Sequence, residues 1–339
     1  MPPPKVSLLI PTYNAESTIR PALTSVRRQT FSDFEIVVVD DGSTDDTAAL
    51  LHDIAKGEPR LRIIKADHGG IVDALNIGIS ECRGELVARM DADDICHPRR
   101  LEMQVGLMDI LLDVSVCSSL VRMFPRSNLL GGLASYERWL NSIITSEQIA
   151  RDMFVESPIA HPTAMMRRRE LVEIGGYEEH GWPEDYDLWL RYHTAGRKFA
   201  KVDSTLLFWR HSERRLTFTD GRYSVENFLR AKAHYLARIL EQNLRQREVV
   251  MWGAGQMGRR LCKHLQREGM TVGAVVSVEE AKVGTGMRGV PVVGVDYLEN
   301  GPRLKYVIAA VSSEEIRQII RARLDSIGFV EGFDFVCAA

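Results

Sequence analysis

Residues 34–47 read FEIVVVDDGSTDDT, an apolar and β-branched run that ends in two adjacent carboxylates, Asp40 and Asp41. The run is typical of a buried strand, and the Ser, Thr and Asp residues after it favour the start of a helix. A second apolar run, VSLLIP (6–11), comes earlier, and apolar residues recur at helical spacing in the intervening segment 15–29. The sequence therefore predicts a βαβ unit here.

The alternation of strands and helices continues beyond this unit. LRIIKA (61–66) and ELVARM (85–90) are predicted strands, and GIVDALNIGISEC (70–82) between them is a predicted helix. Strands that are apolar on both faces and joined by helices indicate an α/β fold with a sheet covered on both sides. The carboxyl ends of such strands share one edge, so we expect three polar clusters to meet there: PTYN (11–14), DDGSTDDT (40–47) and DADD (91–94).

Composition narrows the class of protein. The chain has 339 residues, of which 45% are hydrophobic, so it can bury a large core and is expected to form two or more domains. Its net charge of −3 offers no basic excess, so nucleic acid is not an expected partner.

Cysteine usage and hydropathy bear on localisation. The five cysteines are scattered and lack a C-x-x-C spacing, which argues against a disulfide framework or a zinc site. The N-terminal segment does not resemble a signal peptide, and no window approaches the roughly 20 apolar residues that span a bilayer. We expect a cytoplasmic protein, with any membrane association peripheral and at the inner face.

The acidic stretch RMDADDICHP (89–98) has two interpretations. One is a solvated turn that leads into a helix, and the other is a site for Mg²⁺ or Mn²⁺, which prefer carboxylate oxygens. In an extended segment Asp91 and Asp93 point to the same side, so both can reach one ion. Asp94 is expected to cap the helix that follows. The stretch alone does not decide between the two interpretations.

Taken together, the motifs resemble those of the inverting, nucleotide-sugar-dependent glycosyltransferases of family two, which have the GT-A fold. The matching segments appear in family order over roughly residues 5–215. They are PTYN (11–14), QTFSDFEIVVVDDGSTDDT (29–47), NIGI (76–79), GELVARMDADDICHPRRL (84–101), HPT (161–163), GGY (175–177) and PEDYDLWLRY (183–192). The implied fold is a doubly wound mixed sheet with a nucleotide-binding half and an acceptor half.

The resemblance implies a nucleotide-sugar donor, most simply a UDP-sugar, and a divalent cation, Mn²⁺ or Mg²⁺. Asp93 would be the main metal ligand, and Asp91 would contact the ribose or the metal. Tyr13 would lie near the base, and Asp41 would hydrogen-bond it. The implied donor-binding residues are Pro11, Thr12, Tyr13, Asn14, Asp41, Asp91 and Ala92.

The resemblance also implies a catalytic base and acceptor-side residues. Asp185 in the E-D pair would accept the proton of the acceptor hydroxyl, and Glu184 and His161 would orient the acceptor, a sugar or lipid-linked sugar. By its i,i+4 spacing from Arg191, Asp187 is expected to form an ordinary surface ion pair.

His211 lies where some relatives place a metal-binding histidine, but Arg210 and His211 are adjacent here, whereas many relatives separate Arg and His by one residue. We therefore weigh two uses of this segment. Either His211 is a metal ligand, or Arg210 or Arg215 contacts the diphosphate.

A second α/β pattern follows the transferase motifs. We predict a glycosyltransferase domain over 1–220, a linking helix over 221–246 and a Rossmann-like accessory domain over 247–339. After a predicted strand, Gly253, Gly255 and Gly258 form a G-x-G-x-x-G phosphate loop. The acidic residue that binds the NAD ribose in such folds is missing, because Ser277 ends the next strand. We expect a structural, docking or mononucleotide-binding role without NAD.

Three functions compete at this stage. The first is a glycosyltransferase with an accessory tail, which would serve in cell-surface polysaccharide or glycoconjugate synthesis. The second is a bifunctional or NAD-dependent sugar-modifying enzyme that uses the C-terminal domain. The third, a catalytically inactive binding module, is disfavoured because the base-pocket, D-x-D and E-D motifs are all present.

Overall fold

The computed structural model describes residues 2–129, 131–212, 215–243, 247–300 and 304–339. The chain divides into two compact units. The first comprises residues up to Ile149, Pro158–His180 and Asp187–Thr219, and the second comprises Ala150–Ser157, Gly181–Tyr186 and Asp220–Ala339. The predicted domain division at residues 220 and 246 stays a prediction. In the compact units, the segments 150–157 and 181–186 and the described part of the predicted linking helix (221–243) group with the C-terminal residues.

The first unit is built on a mixed sheet. Its strands are β1 (Val6–Thr12), β2 (Phe34–Asp41), β3 (Leu61–Ala66), β4 (Leu86–Arg89), β5 (Ile95–Cys96), β6 (Val114–Phe124), β7 (Met165–Arg167) and β8 (Lys198–Arg210). The helices along this part of the chain are α1 (Ile19–Arg27), α2 (Thr47–Ala55), α3 (Ile71–Glu81), α4 (Arg100–Ile110), α5 (Gly131–Ser142), α6 (Ser146–Asp152), α7 (Arg168–Glu173), α8 (Glu184–Thr194) and α9 (Leu216–Thr219).

The strand order of this sheet is β3-β2-β1-β4-β7-β6-β8-β5. The half formed by β3, β2, β1 and β4 is parallel, as the βαβ pattern predicts. The short strand β7 then enters antiparallel between β4 and β6, and β8 pairs parallel to β6. The α/β class is confirmed, and the sheet is mixed because β7 and β5 run antiparallel to their neighbours.

The core explains why the predicted elements form. Every residue of β1 and β2 is buried, which fits strands covered by helices on both faces. In α1, the predicted apolar positions Ile19, Leu23 and Val26 are all buried. Helix α3 approaches the sheet closely at Gly78, where an added Cβ would collide with the side chain of Leu9. The carboxyl ends of the parallel strands are therefore held by packing on both sides.

The second unit contains its own sheet. The helices are α10 (Val225–Asn243), α11 (Gln256–Arg267) and α12 (Glu314–Ser326), and the strands are β9 (Glu248–Trp252), β10 (Val272–Val276), β11 (Gly286–Met287), β12 (Val290–Val293), β13 (Lys305–Ala309) and β14 (Phe335–Cys337). The order is β11-β12-β10-β9-β13-β14, with all neighbours parallel except β11 and β12. Helix α10 covers most of the predicted linking helix, and residues 244–246 of that prediction lie outside the described residues.

No helix within the described ranges combines the length and hydropathy needed to cross a membrane. All five cysteines are free thiols and buried.

Candidate active site

The loops that follow β1 and β2 are joined to each other at the carboxyl edge of the sheet. Asn14 has a positive φ of 48°, and its backbone N–H donates to the Ser43 hydroxyl at 3.0 Å. Its side-chain Oδ1 accepts from the backbone N–H of Thr44 at 2.8 Å. Asp40 is buried and accepts from the N–H of Ser43 at 3.1 Å. Asn14 and Asp40 therefore hold the two loops in place.

Within the PTYN motif, the side chains divide by exposure. Pro11 and Thr12 are buried as the last residues of β1, whereas Tyr13 and Asn14 are exposed. The Tyr13 ring, 45% exposed, stacks on the imidazole of His68, with centroids 4.1 Å apart and an interplanar angle of 18°. Tyr13 thus offers an aromatic surface at this edge, and His68 covers part of it.

The carboxylate of Asp41 is engaged by the loop that follows β3. Its Oδ1 accepts from the N–H of Gly69 at 2.9 Å, and its Oδ2 accepts from the N–H of Gly70 at 3.0 Å. His68 Nδ1 lies 2.9 Å from Oδ2. Asp41 therefore anchors residues 68–70, and of the roughly four acceptor positions of a carboxylate, about one, on Oδ1, remains for a further donor.

The acidic stretch forms a cluster of carboxylates after β4. One carboxylate oxygen from each of Asp91, Asp93 and Asp94 lies within 4.8 Å of the other two. Among the described residues, this is the group of side chains that could hold a metal ion. Burial, together with the charge of Asp91, raises the pKa of Asp93 to about 6, although Arg215 and Arg210 oppose the shift. Burial and the charges of Asp91 and Asp93 raise the pKa of Asp94 well above its usual value. Such mutual repulsion favours a bound cation.

Asp94 does not cap the following helix, so that prediction is wrong. Its side chain is fully buried, and Oδ1 accepts from the backbone N–H of Arg210 at 2.7 Å. Helix α4 begins only at Arg100, and its N-cap residue Arg99 makes no side-chain capping bond. The buried Oδ2 of Asp94 has no hydrogen-bond partner among the described residues. Asp94 therefore belongs to the acidic cluster.

Basic side chains border the cluster on two sides. Arg89 Nη2 donates to Asp91 Oδ1 at 2.6 Å, and the Arg89 side chain is only 5% exposed. Arg210 Nε donates to the backbone carbonyl of Asp93 at 2.7 Å, while its guanidinium lies over the Phe124 ring. These contacts fix the orientation of the segment 91–94 and supply positive charge next to it.

His211 is not a member of that cluster. Its backbone N–H donates to the carbonyl of Phe124 at 2.7 Å, and its ring packs edge-on against Phe218 at 5.5 Å. Arg215 stacks over the Trp209 ring at 4.3 Å. The charges of Arg215 and Arg210 lower the pKa of Asp93 against the effect of burial, so both cations contribute positive charge to the electrostatics of the cluster.

His161 lies in a buried aromatic environment. Its Nε2 is 2.7 Å from the hydroxyl of Tyr177, and the Trp189 ring meets the imidazole edge-on at 6.1 Å. Burial and the charge of Arg89 hold the pKa of His161 well below its usual value, so the ring is neutral. Tyr177 is held by Asn76, whose side chain bonds its backbone N–H and carbonyl, both at 2.9 Å.

The E-D pair opens helix α8 and belongs to the second compact unit. Glu184 is buried, and its Oε2 accepts from the hydroxyl of Tyr223 at 2.6 Å. Asp185 Oδ1 accepts from the backbone N–H of Tyr186 at 2.7 Å. This bond restrains the orientation of the Asp185 carboxylate at the start of the helix.

Asp187 and Arg191 form the expected i,i+4 pair, but the prediction of a surface pair is wrong. Asp187 is fully buried and accepts from Arg191 Nε at 2.8 Å. Arg191 also donates to the carbonyls of Ile174 and Gly176, both at 2.7 Å. The pair is therefore a buried structural link between α8 and the loop that follows α7.

The G-x-G-x-x-G turn joins β9 to α11, as the sequence predicts. Gly253 has a φ of 131°, and a Cβ there would lie 2.8 Å from the carbonyl oxygen of Ala310. A Cβ on Gly258 would collide with the Gly253 carbonyl. A cavity of about 280 Å³ opens beside Gly255, and its lining includes Arg260 and Ser313.

Two site residues were missed by sequence reasoning. His68 follows β3, so its position after a third parallel strand was an available signal. Arg89 was predicted as part of an apolar strand. The missed signal is that Arg89 lies two residues before Asp91, so in an extended segment both side chains point to the same side.

Comparisons with known proteins agree with these motifs. A family model described as glycosyl transferase family 2 matches residues 7–175. The chain is 30% identical over 204 residues to the amylovoran biosynthesis glycosyltransferase AmsE of Erwinia amylovora, and this alignment covers 59% of the chain and 74% of AmsE.

Solved structures show the same fold. S. aureus TarS 1–349 in complex with UDP-GlcNAc aligns with a TM-score of 0.56 at 20% identity, covering 78% of this chain and 72% of that one. The mannosyltransferase PcManGT of Pyrobaculum calidifontis, in complex with GDP-Man and Mn²⁺, aligns with a TM-score of 0.51 at 19% identity, covering 78% and 71%. The fold is GT-A, and the chain belongs to glycosyl transferase family 2.

Proposed function

We propose that this glycosyltransferase is inverting and metal-dependent, and that it moves a sugar from a nucleoside diphosphate sugar, UDP in preference to other nucleotides, to an acceptor hydroxyl. The observation that carries the proposal is the carboxylate cluster of Asp91, Asp93 and Asp94, with Arg210 beside it. A cluster of this kind next to cationic side chains suits a metal-bound diphosphate.

The side chains of Asp91, Asp93 and Asp94 suit a hard divalent cation such as Mn²⁺ or Mg²⁺. They offer only carboxylate oxygens, their charges repel one another, and the buried Oδ2 of Asp94 lacks a partner among the described residues. Asp93 and Asp91 would hold the ion. His211 lies outside the carboxylate cluster, but its buried Nδ1 has no hydrogen-bond partner among the described residues, and we propose it as an additional ligand. A bound cation supplies charge neutralisation for the departing diphosphate. Arg210 and Arg215 add positive charge for the same anion.

The nucleotide would lie against the Tyr13 ring, next to Asp41 and the loop of residues 68–70 that Asp41 holds. An aromatic ring supports a base by stacking, and the ring of Tyr13 is exposed enough to do so. Asp41 would accept from the base or hold His68 and Gly69 around it. Pro11, Thr12, Asn14 and Ala92 would complete the donor side. The choice of UDP is supported by TarS, whose structures hold UDP-GlcNAc and UDP.

In the transfer step, Asp185 accepts the proton of the acceptor hydroxyl. The hydroxyl oxygen forms its bond to the anomeric carbon as the bond from that carbon to the diphosphate oxygen breaks, and the electron pair leaves with the diphosphate. A single displacement inverts the anomeric configuration. The neutral imidazole of His161 and the carboxyl group of Glu184 would orient the acceptor.

We infer that the acceptor is a sugar or lipid-linked sugar in cell-surface polysaccharide synthesis at the cytoplasmic face of the membrane. The support for this inference is the relative AmsE, whose name assigns it to amylovoran biosynthesis.

A donor screen tests the proposal. The full chain is incubated with UDP-, GDP- and dTDP-sugars in Mn²⁺, Mg²⁺ or EDTA, and nucleotide release is measured. We expect release from a UDP-sugar that requires the metal. Equal rates in EDTA would overturn the metal requirement, faster release from a GDP-sugar would overturn the preference for UDP, and NMR that shows retained configuration would overturn inversion.

The cavity beside Gly253, Gly255 and Gly258 supports a second candidate role, an accessory site for a phosphate-bearing ligand in the C-terminal unit. Parallel sheets bind ligands where the connections from neighbouring strands diverge, and β9 lies between β10 and β13. Titration of the full chain with NAD and with UDP tests this role. NAD binding would favour the NAD-dependent alternative, and binding of neither ligand would remove the site.

A further inference from the structure

The segment that carries the E-D pair belongs to the C-terminal compact unit. That unit includes Gly181–Tyr186 and Ala150–Ser157 in addition to residues from Asp220 onward. Both short segments come from the part of the sequence that bears the family motifs, yet their packing partners lie in α10 and α12. Residues 181–186, which include Asp185, therefore pack within the C-terminal unit.

Helix α10 and the turn before it hold the segment 181–186. The Tyr223 hydroxyl donates to Glu184 Oε2 at 2.6 Å. The ring of Phe228 packs against Tyr186 with centroids 5.4 Å apart, and the ring of His234 lies 5.4 Å from that of Trp182. Residues on both sides of Asp185 are thus fixed by side chains that follow the transferase motifs in sequence.

The segment 150–157 is held in a similar way. Arg321 on α12 donates from Nη2 to Asp152 Oδ1 at 2.6 Å, and its Nε contacts both carboxylate oxygens of Glu331 at 3.0 Å. Lys232 Nζ donates to the carbonyl of Val155 at 2.8 Å. All of these charged groups except Glu331 are at least nine-tenths buried by side chain or residue exposure. Such a network is costly to break.

A side-chain hydrogen bond joins the two segments. The hydroxyl of Tyr186, the residue after Asp185, donates to the carbonyl of Met153 at 2.8 Å, and Tyr186 is fully buried. The path from α12 through Asp152 to Tyr186 therefore consists of direct contacts and covalent neighbours. These contacts link the start of helix α8 to α12.

The Tyr223 phenol stays protonated as part of this arrangement. Burial, followed by the charges of Glu184 and Asp185, raises its pKa above the usual value. The phenol is therefore protonated at neutral pH and can donate to Glu184.

We propose that Tyr223 is a positioning residue for sugar transfer. By holding Glu184 it orients Asp185, and the C-terminal unit is consequently a working part of the transferase. The inference rests on the proposed role of Asp185 as the base. Tyr223 itself touches neither donor nor acceptor in this scheme.

The test compares Tyr223→Phe with Tyr297→Phe in the full chain. Tyr297 makes the same kind of bond, from its hydroxyl to Glu248 at 2.7 Å, but beside the second sheet, so it is a matched control. We expect Tyr223→Phe to lower kcat for transfer by about 10- to 100-fold, since a small misplacement of a reacting group has effects of that size. The donor KM and the Kd for UDP should stay at the wild-type values, and Tyr297→Phe should keep full kcat.

A general loss of structure would instead reduce UDP binding and transfer together, and that outcome would overturn the positioning role. Asp152→Asn provides a second variant on the other segment, and it should also lower kcat with UDP binding kept. Wild-type kcat in both Tyr223→Phe and Asp152→Asn would overturn the inference.

Asp185→Asn separates this inference from the proposed function. If Asp185→Asn is inactive while Tyr223→Phe is fully active, the inference fails and the base assignment stands. If Asp185→Asn is fully active, the proposed mechanism fails.

Discussion

The imidazole of His68 contacts Tyr13 and Asp41 at once, stacking on the Tyr13 ring at 4.1 Å and reaching Asp41 Oδ2 with Nδ1 at 2.9 Å. The two predicted base-pocket residues, which come from different strand ends, are therefore joined by a third residue. Any nucleotide that uses Tyr13 must be accommodated next to this histidine.

Asp41→Ala should weaken UDP binding more than His68→Ala does. Asp41 receives the N–H groups of Gly69 and Gly70 as well as the imidazole, so its loss releases the whole loop and leaves those donors unpaired. We expect Asp41→Ala to weaken the binding free energy of UDP by about 1 to 3 kcal/mol. Isothermal titration calorimetry measures both variants. If His68→Ala lowers the UDP affinity more than Asp41→Ala does, the imidazole contributes more to UDP binding than the carboxylate.

Asp93→Ala should abolish metal-dependent UDP binding without unfolding the chain. The substitution removes a carboxylate from the cluster and relieves repulsion with Asp91, so the fold is not expected to suffer. Asp109→Asn is the control, because Asp109 pairs with Lys5 at the surface. Calorimetry with and without Mn²⁺ decides the outcome, and an Mn²⁺ dependence that survives in Asp93→Ala would exclude Asp93 as the main ligand.

Asp185→Asn should bind the UDP-sugar with near wild-type affinity and lose transfer by a factor of about 10² to 10⁴, the usual contribution of a general base. The amide keeps the shape of the side chain but cannot accept the proton. Transfer is followed by product formation, and donor binding by calorimetry. Loss of donor binding in parallel with transfer would instead assign Asp185 to the donor site.

Asp187→Ala should destabilise the protein by about 3 to 5 kcal/mol, because the largely buried Arg191 loses its carboxylate partner at 2.8 Å and keeps the more distant, partly exposed carboxylate of Glu178 at 3.5 Å. Asp53→Ala is the contrasting variant, since Asp53 and its partner Arg20 are both more than half exposed, and we expect no measurable change. Urea unfolding measures both variants. An unchanged midpoint for Asp187→Ala would mean that the buried pair contributes nothing.

The free energy of unfolding should rise with pH above neutrality through Lys201. Burial lowers the pKa of Lys201 to about 7 from 10.5, while its ammonium donates to the carbonyls of Leu140 and Pro158. Between these two values the unfolded chain binds more protons, so stability rises by up to about 1.4 kcal/mol per pH unit. This contribution is complete above the unfolded pKa and is lost as the pH falls to about 7.

Urea unfolding at several pH values from 7 to 9.5, compared between the wild type and Lys201→Met, isolates this effect from other titrating groups. The free energy of unfolding of the wild type, relative to that of Lys201→Met, should rise as the pH increases from 7 to about 9.5. Parallel curves would show that Lys201 keeps an ordinary pKa in the folded state.

Much of the fold and the acidic site could be predicted from the sequence alone. Strands such as β1 and β2 are long apolar runs, and α1 carries Ile19, Leu23 and Val26 at helical spacing, so local periodicity was sufficient. The cluster of Asp91 and Asp93 was also predictable, because residues two apart on an extended segment share a side.

Tertiary structure decided the rest. Asp94 and Asp187 sit in sequence contexts typical of a cap and a surface pair, but both are buried by elements distant in the chain, so local patterns assigned them wrongly. The contact of Arg321 with Asp152 joins residues 169 positions apart, and no local pattern encodes it. Periodicity reports which face of an element is apolar. Which partner covers that face depends on how the whole chain packs, and that packing sets the burial, the charge environment and the contacts of each site residue.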